Sequence, residues 1–373
     1  MGKVSNMKIL LVSGIYRPEI GGPATYVPTL AEHLMQQGNK VEVITLKNSQ
    51  AQKPVESWAV KYINRDQHLG LRFIKTVVSI FLKSISSNYV FANGLYQETG
   101  LSLLLLRKNS VAKIVGDPVW ERATNRGDTS LGINDFNRSN LKLKYKIQRN
   151  FLRWSLNRFT SITCPSAELV DLVKSWGITK PITCVPNGIG QVMERVNTQE
   201  FDLITVCRLV KWKNLDKLIT ANAQLKTSLI IVGSGPEEAN LRILAKNTNS
   251  NVTFTGLLSE ELVLDYLFRS KIFVLISSYE GLSFSLLQAM ACGLPSIVSA
   301  VQGNTDVVKT EKEGIVINLN QENSLIAAVN LLLNDSTKRS VLGKNSLLKV
   351  ESQFLQKTQI NKIISQLIDG AQL

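Results

Sequence analysis

The sequence predicts an α/β fold with two doubly wound parallel sheets. Apolar, β-branched runs alternate with helical stretches along nearly the whole chain, which is typical of βαβ units. The chain has 373 residues, which suggests about two domains with large cores. Its composition, with 44% hydrophobic and 19% charged residues, is ordinary for a globular protein. In such sheets ligands bind at the carboxyl ends of the strands, so polar residues there are the candidates for a site.

The composition limits the classes of function. No apolar run reaches the length of a transmembrane helix, and the strongest candidate is interrupted by Lys83. The four cysteines are far apart and form no C-x-x-C motif, so we expect reduced core residues of a cytoplasmic protein. With two histidines and no His/Cys cluster, a zinc site is not expected. The net charge of +14 favours acidic partners: nucleic acid, anionic lipid or phosphorylated substrates.

The first domain is predicted over residues 1–190. It begins with a buried strand, KILLVSG, followed by a glycine-containing loop and a helix from about Tyr26 to Gln37. Gly21 and Gly22 lie in that loop. A Gly-Gly pair before a helix lets the backbone approach a phosphate closely, although such a loop is more often only a turn.

Two other loops of this domain carry polar residues directly after predicted strands. Asn93-Gly94 follows YVFA, and Asp117 follows AKIV. Asp117 is either a site residue or the cap of a turn before Pro118, and the sequence leaves both interpretations open. Ser166 is predicted to be the N-cap of a later helix.

A basic amphipathic helix is predicted from Lys142 to Arg158. The segment from Arg107 to Arg158 contains 12 Lys and Arg residues against 4 Asp and Glu residues. We expect Phe151, Leu152 and Trp154 to pack inward while the cations face solvent. A solvated basic face is the simplest interpretation. The sharper hypothesis is peripheral contact with an anionic membrane or an anionic acceptor. Nucleic-acid binding is not expected, because no recognisable module accompanies the charge.

The second domain is predicted over residues 200–354, after a linker at 191–200. Its first strand, LITVC, is followed by Arg208 and Lys213 on either side of a short loop. Two cations at a strand end are costly unless an anion or solvent compensates them, and a diphosphate is a suitable anion. The alternative is a solvated pair of charges.

A glycine-containing loop follows the next predicted strand of this domain. The strand LIIV leads into Gly233-Ser234-Gly235-Pro236, after which a helical pattern begins. Taken alone the G-x-G pattern is weak, but between a strand and a helix it predicts the nucleotide side of a site.

The stretch from Tyr279 to Val308 predicts a loop, a helix and a strand after the buried strand SKIFVLISS. Glu280 falls at the end of that strand, and Gln288 projects from a different helix face than the apolar residues. The start of the helix gathers unpaired N–H groups and would suit an anion. The alternative is a structural crossover with an ordinary surface glutamate. The residues assigned to the helix start are Ser283, Phe284, Ser285 and Leu286.

This stretch resembles the E-x7-E element of the family 4 glycosyltransferases, which retain configuration and have the GT-B fold, two Rossmann-like domains facing across a cleft. The resemblance implies that Glu280 binds donor-sugar hydroxyls. Gln288 stands where the family has a second glutamate that binds the nucleotide ribose. An amide loses the charge-assisted strength of a carboxylate, so this departure bears on donor affinity.

Other segments resemble the same family. The strand–Arg–loop–Lys–helix element implies that Arg208 and Lys213 bind the leaving diphosphate, and Gly21-Gly22 stands where a loop faces the donor phosphates. Gly233 and Gly235 match the family's G-x-G-P loop. Pro186-Asn187-Gly188 matches a run at the end of the first domain, with Gly190 in place of an expected acidic residue. Family members often carry a His or Asp near the reacting sugar and the acceptor, and Asp117 corresponds to it.

The resemblance implies a retaining glycosyltransferase that moves a sugar from a UDP- or GDP-linked donor to an acceptor hydroxyl, without a metal or another cofactor. The expected acceptor is a glycan or a lipid-linked molecule of cell-surface polysaccharide, lipopolysaccharide or glycolipid synthesis. The enzyme is expected in the cytoplasm, including the inner face of the membrane. The helix at 355–373 is expected to cross back to the first domain. The alternatives are a non-catalytic nucleotide-sugar-binding protein, a GT-B sugar-nucleotide epimerase and a basic polyanion-binding adaptor.

Overall fold

The computed structural model describes residues 6–19, 21–49, 53–192, 198–321 and 323–369. The chain divides into two compact units. Unit 1 comprises the chain up to Pro186 together with the segment that begins at Gln359, and unit 2 comprises Asn187–Thr358. The predicted linker lies largely outside the described residues, since residues 193–197 fall in a gap.

In its described residues, unit 1 contains a seven-stranded sheet in the order β3-β2-β1-β4-β5-β6-β7, with parallel pairing throughout. The strands are apolar because helices cover both faces of such a sheet, and Leu10, Leu11 and Val12 of β1 are fully buried. The strands are β1 Lys8–Ser13, β2 Lys40–Lys47, β3 Ala59–Asn64, β4 Tyr89–Asn93, β5 Asn109–Lys113, β6 Ser161–Cys164 and β7 Ile182–Cys184.

The helices of unit 1 follow the predicted alternation, with local differences. The first helix begins at Gly22 rather than Tyr26, because Pro23 has the backbone angle of a first helical turn. Ser166 is an N-cap, as predicted, and accepts a hydrogen bond from Leu169 N. The helices are α1 Gly22–Gln36, α2 Leu69–Ile85, α3 Tyr96–Ser102, α4 Pro118–Asn125, α5 Ile133–Arg138, α6 Leu143–Leu156 and α7 Ala167–Ser175. Of these, α4 and α5 were not predicted.

Helix α6 corrects the prediction made for the basic segment. Leu152 is fully buried, as expected, but Phe151 is exposed and Trp154 is half-buried. Arg149, a predicted solvent-facing cation, is buried instead. The prediction was wrong because it assumed that every aromatic side chain of the helix packs inward, whereas the buried ion pair of Arg149 takes part of that face.

Unit 2 contains, within its described part, a six-stranded parallel sheet in the order β10-β9-β8-β11-β12-β13. Its strands are β8 Phe201–Val206, β9 Leu229–Val232, β10 Val252–Gly256, β11 Ser270–Leu275, β12 Ser296–Ser299 and β13 Gly314–Ile317. Its helices are α8 Leu215–Leu225, α9 Glu238–Asn247, α10 Glu260–Phe268, α11 Phe284–Ala291, α12 Gln302–Thr305, α13 Ser324–Asn334 and α14 Ser336–Gln353, with a 3-10 turn at Lys211–Lys213.

The strand order reverses once in each sheet. In unit 1 the chain adds strands outward from β1 on one side and from β4 on the other, and in unit 2 from β8 and β11. At such a reversal the loops after two neighbouring strands diverge and leave room for a ligand. The loops after β1 and β4, and those after β8 and β11, are therefore the places to examine for a site.

The last helix, α15 Gln356–Asp369, packs on unit 1 from Gln359 onward. Gln366 Nε2 donates to Ser161 Oγ over 3.1 Å and to Ile162 O over 3.2 Å. His33 Nε2 of α1 lies 3.1 Å from Asn361 Oδ1. Side chains of α15 thus contact both β6 and the first helix of unit 1.

All four cysteines lie in the described part of the chain, and none of them forms a disulfide there. Cys164 and Cys292 are buried, as predicted for core residues, and Cys207 is partly buried. Cys184 is exposed, so the expectation that all four lie in the core is wrong at this position; β7 is an edge strand of the sheet. Within the described residues, the structure contains no helix whose length and apolar character would allow it to span a membrane.

Candidate active site

The loops after β8 and β11 contact each other at the strand-order reversal of unit 2. Ser278 N donates to Trp212 O over 2.7 Å. Asn214, which adopts a left-handed conformation, donates through Nδ2 to Ile276 O over 2.7 Å and to Ser278 Oγ over 2.9 Å. These contacts hold the 3-10 turn, and with it Lys213, against the chain that leads to Glu280.

Lys213 and Glu280 form an ion pair between Nζ and Oε1. The side chains are 13% and 10% exposed, so both charges are largely withdrawn from water and each compensates the other. Ser277 Oγ also donates to Glu280 Oε1, over 2.5 Å. Two residues that lie 67 positions apart in the sequence are thereby placed side by side.

Helix α12 packs closely against the backbone at Glu280. A Cβ atom on Gly303 would lie 2.1 Å from Glu280 O, so a glycine is required for the observed approach. Ser299 Oγ donates to Ser277 O over 2.5 Å, and Asn304 Nδ2 donates to Ser299 Oγ over 3.2 Å. A side chain held on such a layer of buried contacts keeps a defined position.

Arg208 is exposed and lies on the β8 loop, which packs backbone-to-backbone against the glycine loop. Leu209 N donates to Ser234 O over 2.9 Å. A Cβ atom on Gly233, whose φ is +132°, would lie 2.0 Å from Cys207 O, and one on Gly235 would lie 2.3 Å from Leu209 O. The two glycines therefore have a structural role, because the absence of a Cβ atom allows their loop to pack closely against the segment that carries Arg208.

Cys207, beside Arg208, is not a nucleophile at neutral pH. Burial raises the pKa of its thiol to about 11, an effect that Lys213 opposes and Glu280 reinforces. The thiol therefore stays protonated, and a thiolate is the reactive form.

Ser283, where the helical pattern was predicted to begin, is the N-cap of α11; its Oγ accepts from Leu286 N over 3.3 Å and lies 2.9 Å from Ser285 Oγ. Phe284 and Ser285 are half-buried, but the Leu286 side chain is in the core, so only its backbone belongs to the helix start. Asn187, of the Pro-Asn-Gly run, donates through Nδ2 to Leu282 O over 2.8 Å and fixes the chain just before the helix.

In unit 1 the loops after β1 and β4 also meet. Gly21 is the N-cap of α1 with a φ of +154°, and a Cβ atom there would lie 2.5 Å from Ile15 Cδ1. A Cβ atom on Gly94, whose φ is +115°, would lie 2.8 Å from Gly14 N. Gly21 and Gly22 provide no side chain to cap α1, so its first N–H groups are suited to an anion.

Asp117 has a structural role. It is fully buried and is the N-cap of α4, with Oδ1 accepting from Val119 N over 2.9 Å and from Trp120 N over 3.1 Å. Its Oδ2 accepts from Asn137 Nδ2 and forms an ion pair with Arg149. The turn-cap interpretation is therefore confirmed. Both carboxylate oxygens of Asp117 thus have partners, and its role toward an acceptor stays a prediction.

A row of buried polar side chains, of which the sequence analysis named Asn93 alone, crosses the carboxyl edge of unit 1. Ser13 pairs in register with Asn93, and Lys113 with Thr163, on neighbouring strands. Within the described part of the chain, Asn93 Nδ2 and Oδ1, Lys113 Nζ and Thr163 Oγ1 have no hydrogen-bond partner. The Lys113 ammonium lies 4.4 Å from the ring centroid of Tyr26. The lysine inside the apolar run VAKIV is the feature of the sequence that could have indicated this row.

Among the described residues, no three His, Cys, Asp or Glu side chains are grouped as a metal ion would require.

Comparison with known proteins identifies the family. A profile described as "Glycosyl transferase 4-like domain" matches residues 21–188, and one described as "Glycosyl transferases group 1" matches residues 192–348. The chain belongs to the group 1 glycosyltransferases.

Curated relatives and solved structures of other proteins are consistent with this family assignment. A GDP-mannose-dependent monoacylated alpha-(1-6)-phosphatidylinositol monomannoside mannosyltransferase of Corynebacterium glutamicum is 22% identical over 94% of this chain and 95% of its own length. Several other curated relatives match over only 43% to 60% of their own length, at up to 32% identity. One of these is a UDP-Gal:alpha-D-GlcNAc-diphosphoundecaprenol alpha-1,3-galactosyltransferase of Escherichia coli, 28% identical over 50% of this chain and 54% of its own.

Among solved structures, sucrose-phosphate synthase of Thermosynechococcus elongatus is similar with a TM-score of 0.79 and 21% identity, over 98% of this chain and all of that one. HepE of Anabaena, solved in complex with UDP-glucose, is similar with a TM-score of 0.78 and 16% identity, over 98% of this chain and all of its own. The predicted GT-B fold, with its two Rossmann-like domains, is confirmed.

Gln288 of this glycosyltransferase is half-buried on α11 and contacts a neighbouring helix. Its Nε2 donates to Glu260 Oε1 over 3.4 Å. Glu260 is exposed and is the first residue of α10, directly after the N-cap Ser259. The sequence analysis singled out Gln288 but missed Glu260, since 28 positions separate them and only the packing of α10 beside α11 brings them together.

Proposed function

We propose that this chain transfers a sugar from a nucleotide-diphosphate donor to an acceptor hydroxyl with retention of anomeric configuration. The observation that carries the proposal is the Lys213–Glu280 contact at the reversal of strand order in unit 2, where the segment after β8 carries both Lys213 and Arg208. The loop after β8 carries cations that suit a departing diphosphate. The neighbouring loop after β11 carries a carboxylate that suits sugar hydroxyls.

The proposed role of Arg208 and Lys213 is to stabilise the charge that develops on the leaving diphosphate. A guanidinium offers two parallel donors to a phosphate, and an ammonium has three donors, so Lys213 can contact Glu280 and a phosphate oxygen together. The N-terminus of α11 adds backbone N–H groups to the same task. Fixed donors of this kind typically contribute about 3–4 kcal/mol each to lowering a barrier.

The proposed role of Glu280 is to accept hydrogen bonds from hydroxyls of the donor sugar. Ser277 and Lys213 both donate to its Oε1, so the carboxylate is oriented before a sugar is bound. A carboxylate strengthens hydrogen bonds from hydroxyl groups because it carries charge. Orientation by neighbours reduces the entropy that must be lost when the reacting sugar is held.

Retention and independence from metal ions are parts of the proposal. In the retaining scheme, the acceptor attacks on the face from which the diphosphate leaves, and a phosphate oxygen takes the acceptor proton. This scheme needs no pair of flanking carboxylates, unlike glycoside hydrolysis. Side-chain cations and backbone N–H groups carry the positive charge that a metal ion would otherwise provide.

The proposed donor is UDP- or GDP-linked, in keeping with a GDP-mannose-dependent relative, a UDP-Gal-using relative and a neighbour solved with UDP-glucose. The proposed acceptor is a glycan or lipid-linked hydroxyl in the synthesis of cell-surface polysaccharide, lipopolysaccharide or glycolipid, in the cytoplasm. The names of the two relatives include a phosphatidylinositol mannoside and a diphosphoundecaprenol-linked sugar, which supports an acceptor of this class.

The test begins with a screen of UDP- and GDP-sugars for thermal stabilisation, followed by assays of nucleotide release and product configuration by NMR. Arg208→Ala and Lys213→Ala should each lower turnover by roughly a hundredfold or more, because each removes a fixed donor to the leaving group. Lys217→Ala, an exposed cation of α8, is the matched control and should retain full turnover. EDTA should leave the rate unchanged. Wild-type rates in both site variants would refute the assigned roles.

A non-catalytic nucleotide-sugar-binding protein is the second candidate, favoured by Gln288 at the position of the family's second glutamate. Such a protein would be stabilised by a nucleotide sugar and yet release no nucleotide with any acceptor. An epimerase would convert one nucleotide sugar to another without an acceptor, which NMR of the products detects.

A further inference from the structure

The two cysteines of unit 1 lie directly opposite each other on neighbouring strands. Cys164 is the last residue of β6 and Cys184 the last residue of β7, and the two are partners in the parallel register of these strands. Hydrogen bonds hold this register on both sides of the pair. Val185 N donates to Cys164 O over 2.8 Å, and Ile162 N donates to Pro181 O over 2.9 Å. The other two cysteines of the chain lie in unit 2.

The register brings the two cysteines within the reach of a disulfide. Neighbouring strands lie about 4.7–4.9 Å apart, and the Cα atoms of a disulfide are usually about 4.4–6.8 Å apart. Partners in a parallel register project to the same face of the sheet, because side chains alternate along both strands. Gln366 of α15 contacts Ser161 Oγ over 3.1 Å and Thr183 Oγ1 over 3.5 Å. Those two residues project to the other face, so Gln366 does not come between the thiols.

The two thiols differ in their access to solvent. Cys164 is fully buried, whereas Cys184 is exposed on the edge strand β7. Burial raises the pKa of the Cys164 thiol; Lys113 opposes this effect, and the nearby Cys184 adds to it. A dissolved oxidant therefore reaches Cys184 first and finds a second thiol beside it. Sensor cysteines that react with peroxide are typically accessible and have such a resolving cysteine, which completes a disulfide, next to them.

We propose that Cys184 and Cys164 form a reversible disulfide when the chain meets a peroxide, with Cys184 as the thiol that is oxidised first. The Cys184 sulfur breaks the O–O bond of hydrogen peroxide and becomes a sulfenic acid, while the other oxygen leaves as water with the thiol proton. The Cys164 sulfur then displaces the hydroxyl group, which takes the second thiol proton and leaves as water. Two thiols and one hydrogen peroxide thus give one disulfide and two waters, and a dithiol reductant reverses the step by exchange.

The position of the pair gives the disulfide a structural consequence. Unit 1 is left at Pro186, two residues after Cys184, and the next residue is Asn187, which donates to Leu282 O just before α11. The bond would therefore tie to β6 the segment that leads to Asn187. Disulfides of cytoplasmic proteins are usually transient and redox-sensing, which agrees with a reversible bond. The proposal goes beyond the glycosyltransferase chemistry and does not rest on it, because neither donor nor acceptor takes part.

The experiment is peptide mapping of the reduced full chain after treatment with hydrogen peroxide. Unreacted thiols are labelled with a maleimide in denaturant, and the protein is digested with trypsin without reduction. Trypsin cuts after Lys174, so the two cysteines of unit 1 fall on separate peptides. The wild type should yield these peptides joined, with the loss of two hydrogen atoms, and dithiothreitol should separate them. Labelling should fall from four thiols per chain to two, with Cys207 and Cys292 still labelled.

Two variants separate the roles of the thiols. Cys184→Ser should keep Cys164 reduced under the same treatment, because the remaining thiol is buried. Cys164→Ser should leave Cys184 as a sulfenic acid, which dimedone labels. The matched control is Cys292→Ser, which changes a buried cysteine of unit 2 and should form the joined peptides as the wild type does. Circular dichroism verifies folding; if Cys164→Ser fails to fold, Cys184→Ser, at an exposed position, decides the question.

Three results would overturn the proposal. The first is that peroxide leaves all four thiols of the wild type intact. The second is a bond between the Cys184 residues of two chains in place of the internal bond. The third is oxidation of Cys164 in Cys184→Ser to the same extent as in the wild type. None of these readouts depends on transferase activity.

Discussion

Lys113 occupies an unfavourable position for a cation. Its ammonium is fully buried, faces the ring of Tyr26, and has no hydrogen-bond partner in the described part of the chain. Burial lowers the pKa of Lys113 from 10.5 to about 8, and the nearby thiols of Cys164 and Cys184 oppose that change. Desolvation disfavours the charged form because the interior replaces water poorly as a solvent for ions.

Lys113→Met should therefore stabilise unit 1 in a pH-dependent way. The unfolded chain keeps its proton up to a pH near 10.5, while the folded protein releases it near 8, so the wild type gains stability as the pH rises between these values. The variant should be more stable by about 3 kcal/mol below pH 8, and this advantage should fall toward zero above pH 10.5.

Urea unfolding of both proteins across this pH range measures the difference between their free energies of unfolding. The titration of other groups is common to both proteins and cancels in this difference. A constant difference in unfolding free energy at every pH would contradict the assignment.

The sequence allowed the main site residues to be named but not their contacts. Arg208, Lys213 and Glu280 follow apolar strands, and this position marked them as candidates together with the resemblance to the family 4 motifs. The ion pair of Lys213 with Glu280 depends on β8 and β11 being neighbours, which the spacing of residues does not show. For Asp117 the sequence left two interpretations open, a site residue and a cap, and the structure shows that it caps α4.

At the scale of elements, α10 and α11 bring Glu260 to Gln288. If Gln288 faces the ribose, as the resemblance implies, Glu260 lies close enough to influence that contact electrostatically. A second carboxylate at position 288 would be repelled by Glu260, because like charges a few ångströms apart disfavour each other. The effect of placing the family's glutamate at position 288 therefore depends on Glu260.

Gln288→Glu alone should change nucleotide affinity little, whereas Gln288→Glu/Glu260→Gln should tighten it by about fivefold. The double variant restores a charge-assisted hydrogen bond, worth roughly 1 kcal/mol more than a neutral one, and removes the repulsion. Isothermal titration with UDP and GDP measures both effects, and Glu260→Gln alone is the control. The same affinity in all four proteins would show that Gln288 does not contact the nucleotide.

Periodicity predicted the helices better than it predicted their orientation. The large apolar residues of α2 recur at helical spacing, and an apolar stripe of this kind is ordinarily taken to face the core. Here Thr76, Ser79 and Ser84 face inward, so the orientation is set by packing against the rest of unit 1. Ser102 Oγ, for example, donates to Val77 O over 2.9 Å. A one-dimensional pattern contains no information on which face the neighbouring elements cover.

At the scale of the molecule, the alternation of strands and helices was enough to predict two parallel sheets. The strand orders do not follow from this alternation, because many orders are compatible with it. Yet the orders determine where a ligand can bind: they place Arg208 after β8 and Glu280 after β11, at the reversal in unit 2. Of the polar row at the carboxyl edge of unit 1, the sequence analysis named Asn93 but neither Lys113 nor Thr163.

The central claim is that unit 2 binds the donor chiefly through its diphosphate, by means of Arg208 and Lys213. The most direct test is a cycle of calorimetric affinities for UDP and UMP, or for GDP and GMP if the screen selects guanine, with the wild type and with Arg208→Ala/Lys213→Ala. The wild type should bind the diphosphate at least about tenfold more tightly than the monophosphate, and the double variant should bind the two almost equally. An undiminished preference for the diphosphate in the double variant would contradict the account.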